Sequence, residues 1–206
     1  MRVMSNWSGD PAGASRPFSN DRSGLVLGEG AAFVVLESVE HARKRGVEPL
    51  GYIYGYSSNT TFDHPTRPSV EPERAVMRAA MDDAGIDPAV VDYIYAHGTG
   101  TKANDGTETK AIKAAFGESL AYNIPVSSPK SLYGHTLGAC GAFGCVTALL
   151  SLRHKIAVPT MNLHEPDPEC DLNYVPNEAQ TLKNGRYTLV NSFGFGGSNA
   201  TLVLGL

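Results

Sequence analysis

Short apolar runs alternate with amphipathic ones along most of this chain. Residues 31–37, AAFVVLE, form a nearly unbroken apolar run and predict a strand buried on both faces. Ser38 is placed to cap a helix over 39–45 that ends at Gly46. Residues 51–57, GYIYGYS, read as a strand, and 58–69 as a polar loop with Pro65 and Pro68. Over 72–85, Ala75, Val76, Ala79, Ala80 and Ala84 gather on one side of a helix, with Pro72 early and Gly85 just past its end. Residues 93–96 are a short apolar strand leading to His97, the loop Gly98-Thr99-Gly100-Thr101, and a helix over 105–116 stopped by Gly117. A strand over 124–128 follows.

A helix over 137–154 comes next. Its first half is nearly all Gly, Ala and Cys, which permits close backbone approach and predicts a buried central helix. Residues 158–163 and 172–175 read as short edge strands, limited by Pro159 and Pro176. Residues 187–192 and 200–204 form a closing hairpin around Gly194-Phe195-Gly196-Gly197, and residues 1–20 read as loop. This alternation predicts an α/β fold, a mixed sheet with helices on its faces. The one candidate boundary, near 48–51, divides a first unit, 1–50, from a second, 51–206.

Composition narrows the class. The chain has 206 residues, of which 42% are hydrophobic and 18% charged, as in an ordinary globular protein. A formal charge of −4 gives no basic excess to meet phosphates, so no nucleic-acid partner is expected. No apolar run is read as membrane-spanning, and the N-terminus has no secretory apolar core. Cys140, Cys145 and Cys170 have no metal-site spacing, so no metal is expected and the compartment is read as reducing and cytoplasmic, with an organelle stroma or matrix left open.

Three loops share a grammar. Each follows a short apolar strand and is rich in Gly, Ser or Thr. They carry His97; Lys130 with His135; and Phe195 among glycines. Taken singly, each has a plain explanation: a turn histidine, a surface lysine, a helix-capping histidine, a tight hairpin. Together they can line one pocket, because ends of neighbouring strands meet in space. Two histidines there can each donate an N–H to one carbonyl oxygen as negative charge develops on it. Lys130 can hold the field positive and pair with a carboxylate such as Glu108. Gly194, Gly196 and Gly197 let backbone N–H groups approach a ligand.

YAHGTGT at 95–101, SSPKSLYGHTLGACG at 127–141 and NSFGFGGSN at 191–199 resemble the β-ketoacyl-acyl-carrier-protein synthases, condensing enzymes of the thiolase superfamily. RPFSNDRSGLVLGEGAAFVVLE at 16–37 is similar to the segment ahead of that family's second half. The likeness runs almost end to end and is strongest to the type II elongating synthases and their polyketide relatives. It implies a thiolase-like half in residues 51–206, preceded by the end of the N-terminal half in 1–50. It implies that His97 and His135 activate decarboxylation of a malonyl-carrier thioester and stabilise the enolate. Lys130 then orders that pocket, with Glu108 as its acidic partner and Asp105 in support. Thr99 and Thr101 match hydroxyls that bind a phosphopantetheine arm. Phe195 matches a gating phenylalanine whose backbone N–H helps form an oxyanion hole.

The likeness also sets what is absent. The family's nucleophilic cysteine lies upstream of the segment matched by residue 16. Cys140 and Cys145 are expected inside a helix and Cys170 in a loop, so none is expected at a helix N-terminus, where a thiolate is favoured. Gly144 stands where the family usually has an acid, and 57–65, SSNTTFDHP, departs from the family's second gate. The expectation is therefore the His/Lys-bearing C-terminal part of a condensing enzyme, completed by a cysteine-bearing N-terminal half or partner chain. A non-catalytic chain-length factor or scaffold subunit is the alternative. The implied partners are an acyl carrier protein, met by Arg2, Arg43 or Arg67, and a homo- or hetero-oligomer. No permanently bound cofactor is expected beyond the carrier's phosphopantetheine arm.

Overall fold

The computed structural model describes residues 3–61 and 66–206. Among these, the strands are β1 (Tyr52–Thr60), β2 (Tyr93–Tyr95), β3 (Val126–Ser127), β4 (Ile156–Ala157), β5 (Gln180–Thr181), β6 (Tyr187–Phe193) and β7 (Ser198–Gly205). The α-helices are α1 (Val39–Lys44), α2 (Val70–Ala84), α3 (Lys102–Phe116), α4 (Glu118–Ala121), α5 (Lys130–Tyr133) and α6 (Cys140–His154). The central sheet runs β1-β7-β6-β2-β3, and β4 pairs with β5 apart from it. β7 is antiparallel to β1 and β6, while β2 is parallel to β6 and β3. This is the mixed sheet expected, covered on both faces.

The pleat sorts side chains by face. Ile94, Leu189 and Val203 pack with Met77, Ala80 and Ile112 of α2 and α3. The residues beside them, Tyr93, Tyr95, Val190 and Leu204, pack with Ala148 and Leu152 of α6. Full burial of each such aliphatic side chain stabilises by about 1.5–3 kcal/mol. Close approach of α6 depends on Gly144, where a Cβ would lie 2.8 Å from Val190 and 3.1 Å from Tyr95.

The parallel strands position the site. Tyr95 aligns with Ser127 on one side and Val190 on the other. The loops after β2, β3 and β6 therefore open at the same sheet edge. The N-terminal segment closes over that edge. Phe18 stacks on Tyr174 with ring centroids 3.8 Å apart, and buried Arg22 reaches both Asp105 and Asp167.

Several expectations are corrected. Residues 31–37 form no strand and make no strand pairing among the described residues; Phe33 is 93% exposed and Val35 88%. A run with this pattern needs sheet neighbours, and the described residues supply none. The small strands are β4 and β5, not 158–163 and 172–175; Thr160 of the first segment makes only an isolated bridge, to Pro176 just past the second. The strand read as 51–57 runs on to Thr60, pairing with β7 to Ser198. Leu137–His154 is a continuous helical stretch of 18 residues, long and apolar enough by composition to cross a membrane. It packs one face on the sheet, and it is not buried all round: Val146 and Leu150 are exposed.

Candidate active site

His97 follows β2 and is 6% exposed. Its backbone is held from both sides. Glu108 on α3 accepts the His97 N–H on Oε1 and the Gly98 N–H on Oε2, each at 2.8 Å. Lys130 on α5 donates from Nζ to the His97 carbonyl. Asn191 Nδ2 donates to Glu108 Oε1 at 3.3 Å. The expected Lys130–Glu108 ion pair does not form; among the described residues no carboxylate lies within 4.0 Å of Nζ, and the two charges meet through the His97 peptide groups. Burial raises the Glu108 carboxyl, and the two backbone N–H bonds oppose it. Burial lowers Lys130, opposed by Cys140, Glu108 and Asp105.

The loop after His97 is shaped by Asp105. Its Oδ1 accepts the N–H groups of Thr99 at 3.1 Å and Gly100 at 3.2 Å, and its Oδ2 accepts Phe18 N–H at 2.8 Å. Gly98 has φ +36°, and a Cβ there would meet Ser128 at 2.5 Å. Thr101 caps α3, accepting the Asn104 N–H, and its hydroxyl lies 3.0 Å from that of Thr99.

His135 sits between two strand-like hydrogen bonds, donating from its own N–H to Val26 O and accepting Gly28 N–H. Its ring meets that of His97 edge to face, with centroids 5.5 Å apart and planes at 85°. The Leu137 N–H donates to His135 Nδ1 at 3.1 Å. A backbone amide can only donate, so Nδ1 is unprotonated and Nε2 carries the proton. Burial and the Lys130 charge push His135 down to about 4. His97 is held well below the usual imidazole range by burial, Lys130 and His135, in that order. Both rings are neutral at pH 7. His97 Nδ1 is sealed from solvent with no partner among the described residues, which leaves Nε2 to meet a ligand.

These groups open on a cavity of about 910 Å³. His97, His135, Thr99, Thr101, Phe195 and Gly194 lie on its wall. Lys130, Glu108 and Asp105 stand behind it, and Gly196 is beside it without lining it. Phe195, 57% exposed, borders the cavity in the 3₁₀ turn between β6 and β7. Arg67 is exposed on the rim, Arg43 is exposed on α1, and Arg2 lies outside the described residues. Of the 57–65 loop, residues 62–65 also lie outside them.

Two wall residues escape the sequence reading. Glu73 on α2 is fully buried, neither carboxyl oxygen has a hydrogen-bond partner among the described residues, and burial beside Glu108 pushes it up to about 9. The signal was present: Glu73 shares a helical face with Val76, Met77 and Ala80. Cys140, expected inside the helix after His135, lies in the first turns of that helical stretch. The 3₁₀ turn Leu137–Ala139 ends just before it, so it is the first residue of α6, and its Sγ lies 3.0 Å from His135 Nδ1. That nitrogen is too weak a base to take a thiol proton at neutral pH, since His135 titrates at about 4.

The model of the β-ketoacyl synthase C-terminal domain matches residues 50–164. The chain belongs to the β-ketoacyl synthase family. It is 48% identical to 3-oxoacyl-[acyl-carrier-protein] synthase 2 of Coxiella burnetii over 206 residues, covering 99% of this chain and 49% of that protein. The corresponding synthase of Synechocystis is 47% identical, covering 98% of this chain and 48% of the relative. Among solved structures, a type II PKS acyl-carrier protein in complex with its ketosynthase bound to the hexaketide is similar at TM-score 0.94 and 36% identity, covering 99% and 50% of the two chains. A β-ketoacyl synthase from Burkholderia phymatum matches at TM-score 0.93 and 38% identity, covering 99% and 49%. The chain thus spans about half the length of the curated relatives it matches.

Proposed function

We propose that this chain is the His/Lys-bearing half of a 3-oxoacyl-acyl-carrier-protein synthase, performing decarboxylative Claisen condensation. The observation that carries this is the pair of neutral imidazoles at right angles on one cavity wall. Neutral rings donate N–H bonds without bringing a proton that would quench an enolate. One such donor commonly lowers a barrier by roughly 2.7–4 kcal/mol in a dry site.

The chemistry runs as follows. An acyl group waits as a thioester on a cysteine of the other half. A malonyl thioester, carried on a phosphopantetheine arm, enters the cavity past Thr99 and Thr101. Its thioester carbonyl oxygen accepts from Nε2 of His97 and of His135. The C–C bond to the carboxylate breaks, CO₂ leaves, and the electron pair is held as an enolate. Its carbon attacks the acyl thioester carbonyl, the cysteine leaves as thiolate, and a 3-oxoacyl thioester remains on the carrier. The carrier partner is supported by the names of the relatives and by the carrier-bound ketosynthase among the structural neighbours. A cysteine-bearing half, on the same or another polypeptide, would cover the exposed Phe33, Val35 and Leu36.

A non-catalytic chain-length subunit is the competing reading, and a solved ketosynthase/chain length factor is among the neighbours, at TM-score 0.89. A docking subunit has no use for two tuned donors. Mixing this chain with a cysteine-bearing ketosynthase half and assaying condensation separates the two. The proposal expects His97→Ala and His135→Ala each to abolish the activity gained on mixing; unchanged activity in both would support the docking role.

A further inference from the structure

We propose that Cys140 is a positioning residue for His135, its thiol donating to Nδ1 and fixing the imidazole with Nε2–H toward the cavity. The inference deepens the function proposed above, which supplies its consequence, but its evidence is independent of any reaction.

The geometry settles the direction of each bond. Leu137 N–H already donates to His135 Nδ1, so that nitrogen offers only a lone pair. Cys140 Sγ, 3.0 Å from the same nitrogen, must then be the donor. With its one proton committed, Sγ is the acceptor in its 3.4 Å contact with Thr136 Oγ1. A short relay results, from the Thr136 hydroxyl to the Cys140 thiol to His135. Cys140 is held in place by its position as the first residue of α6, and it is 6% exposed. The Leu137 contact alone is a poor lock, because it spans two residues of an exposed turn. The Cys140 bond ties the ring to a helix packed on the sheet instead.

The consequence for His135 follows. Two donors on Nδ1 stabilise the neutral ring against protonation there. Among the described residues the ionisable groups facing His135 are Lys130 on α5 and His97 after β2, and burial and the Lys130 charge disfavour an imidazolium there. Cys140 adds to them without a charge, and it sets which nitrogen faces the substrate oxygen.

The test uses this chain, labelled with ¹⁵N at histidine, with no partner or substrate. In the native protein His135 should show one tautomer, protonated on Nε2. Cys140→Ala should shift the Nδ1 resonance and raise the His135 midpoint by roughly 0.7 of a pH unit, the equivalent of one ordinary hydrogen bond. Cys140→Ser, which keeps a donor, should restore most of both. Resonances of His41 and His154, remote from the site, report that each variant is folded. Unchanged Nδ1 resonance and midpoint in folded Cys140→Ala would overturn the proposal. So would a Cys140→Ser protein as shifted as Cys140→Ala, since volume and not the donor would then be responsible. Failure of condensation with an intact Nε2–H tautomer would instead count against the proposed function alone.

Discussion

Lys130 and Glu108 grip one residue from opposite sides: Lys130 Nζ donates to the carbonyl of His97, and Glu108 Oε1 accepts its N–H. Both side chains are buried, at 1% and 0% exposure, so neither bond can be replaced by water. Glu108→Gln keeps the shape but presents one acceptor oxygen where two N–H groups need acceptors. Lys130→Met leaves the His97 carbonyl without its donor. Each variant is expected to lose about 1–3 kcal/mol of stability in urea unfolding. Losses under about 0.5 kcal/mol in both would mean the grip does not hold the loop.

His135 should titrate far from its ordinary value. Burial and Lys130 bring its midpoint to about 4, against 6.5 for a free imidazole. The folded ring binds fewer protons than the unfolded one between these values. Its contribution to stability is therefore complete above 6.5 and declines as pH falls toward 4. NMR titration of the chain should show no His135 transition between pH 6 and 7. A midpoint near 6.5 would contradict the neutral donor pair.

Glu73 has the opposite consequence at alkaline pH. Its folded pKa of about 9 stands above the ordinary 4.5, so the folded state holds a proton that the unfolded state releases. Stability should fall as pH rises from 4.5 to 9, by several kcal/mol over the whole window. Glu73→Gln removes the titration and should stabilise the protein at pH 8 by about 2 kcal/mol or more. Denaturant midpoints at pH 5, 7 and 9 measure this; parallel pH profiles for the two proteins would exclude it.

Gly144 separates packing from propensity. Glu at this position must fit where even a Cβ lies 2.8 Å from Val190, so Gly144→Glu should cost about 1–3 kcal/mol or more through α6. Gly141→Ala, on the same helix where an added Cβ meets none of the described residues within 4 Å beyond its own helix backbone and chain neighbours, should instead gain about 0.5–1 kcal/mol. Thermal melts that move the same way in both would contradict the close helix–sheet contact.

Much of this was legible in the chain itself. The run 187–192 ahead of the Gly-rich turn showed β6, and the apolar face of α2 with Gly85 beyond it showed that helix. The three Gly-, Ser- and Thr-rich loops told which residues would share a pocket. Where a pattern needed a partner, the sequence failed. Residues 31–37 have the composition of a buried strand but no strand to pair with among those described. The helical stretch from Leu137 begins as a 3₁₀ turn whose Leu137 has φ +51°, which no local composition announced, so that Cys140 opens its α-helical part. The partner of Lys130 was missed because it is a backbone carbonyl, and backbone partners leave no trace in residue identity.

Malonyl decarboxylation separates the histidine pair from the nucleophile most directly. This chain would be combined with a ketosynthase half whose reactive cysteine is replaced by Ala, and CO₂ release from malonyl carrier measured. The expected result is release that persists without the cysteine and falls about 10²–10³-fold in both His97→Ala and His135→Ala. Release that is unchanged in the two histidine variants would contradict the central claim, that these neutral imidazoles hold the enolate.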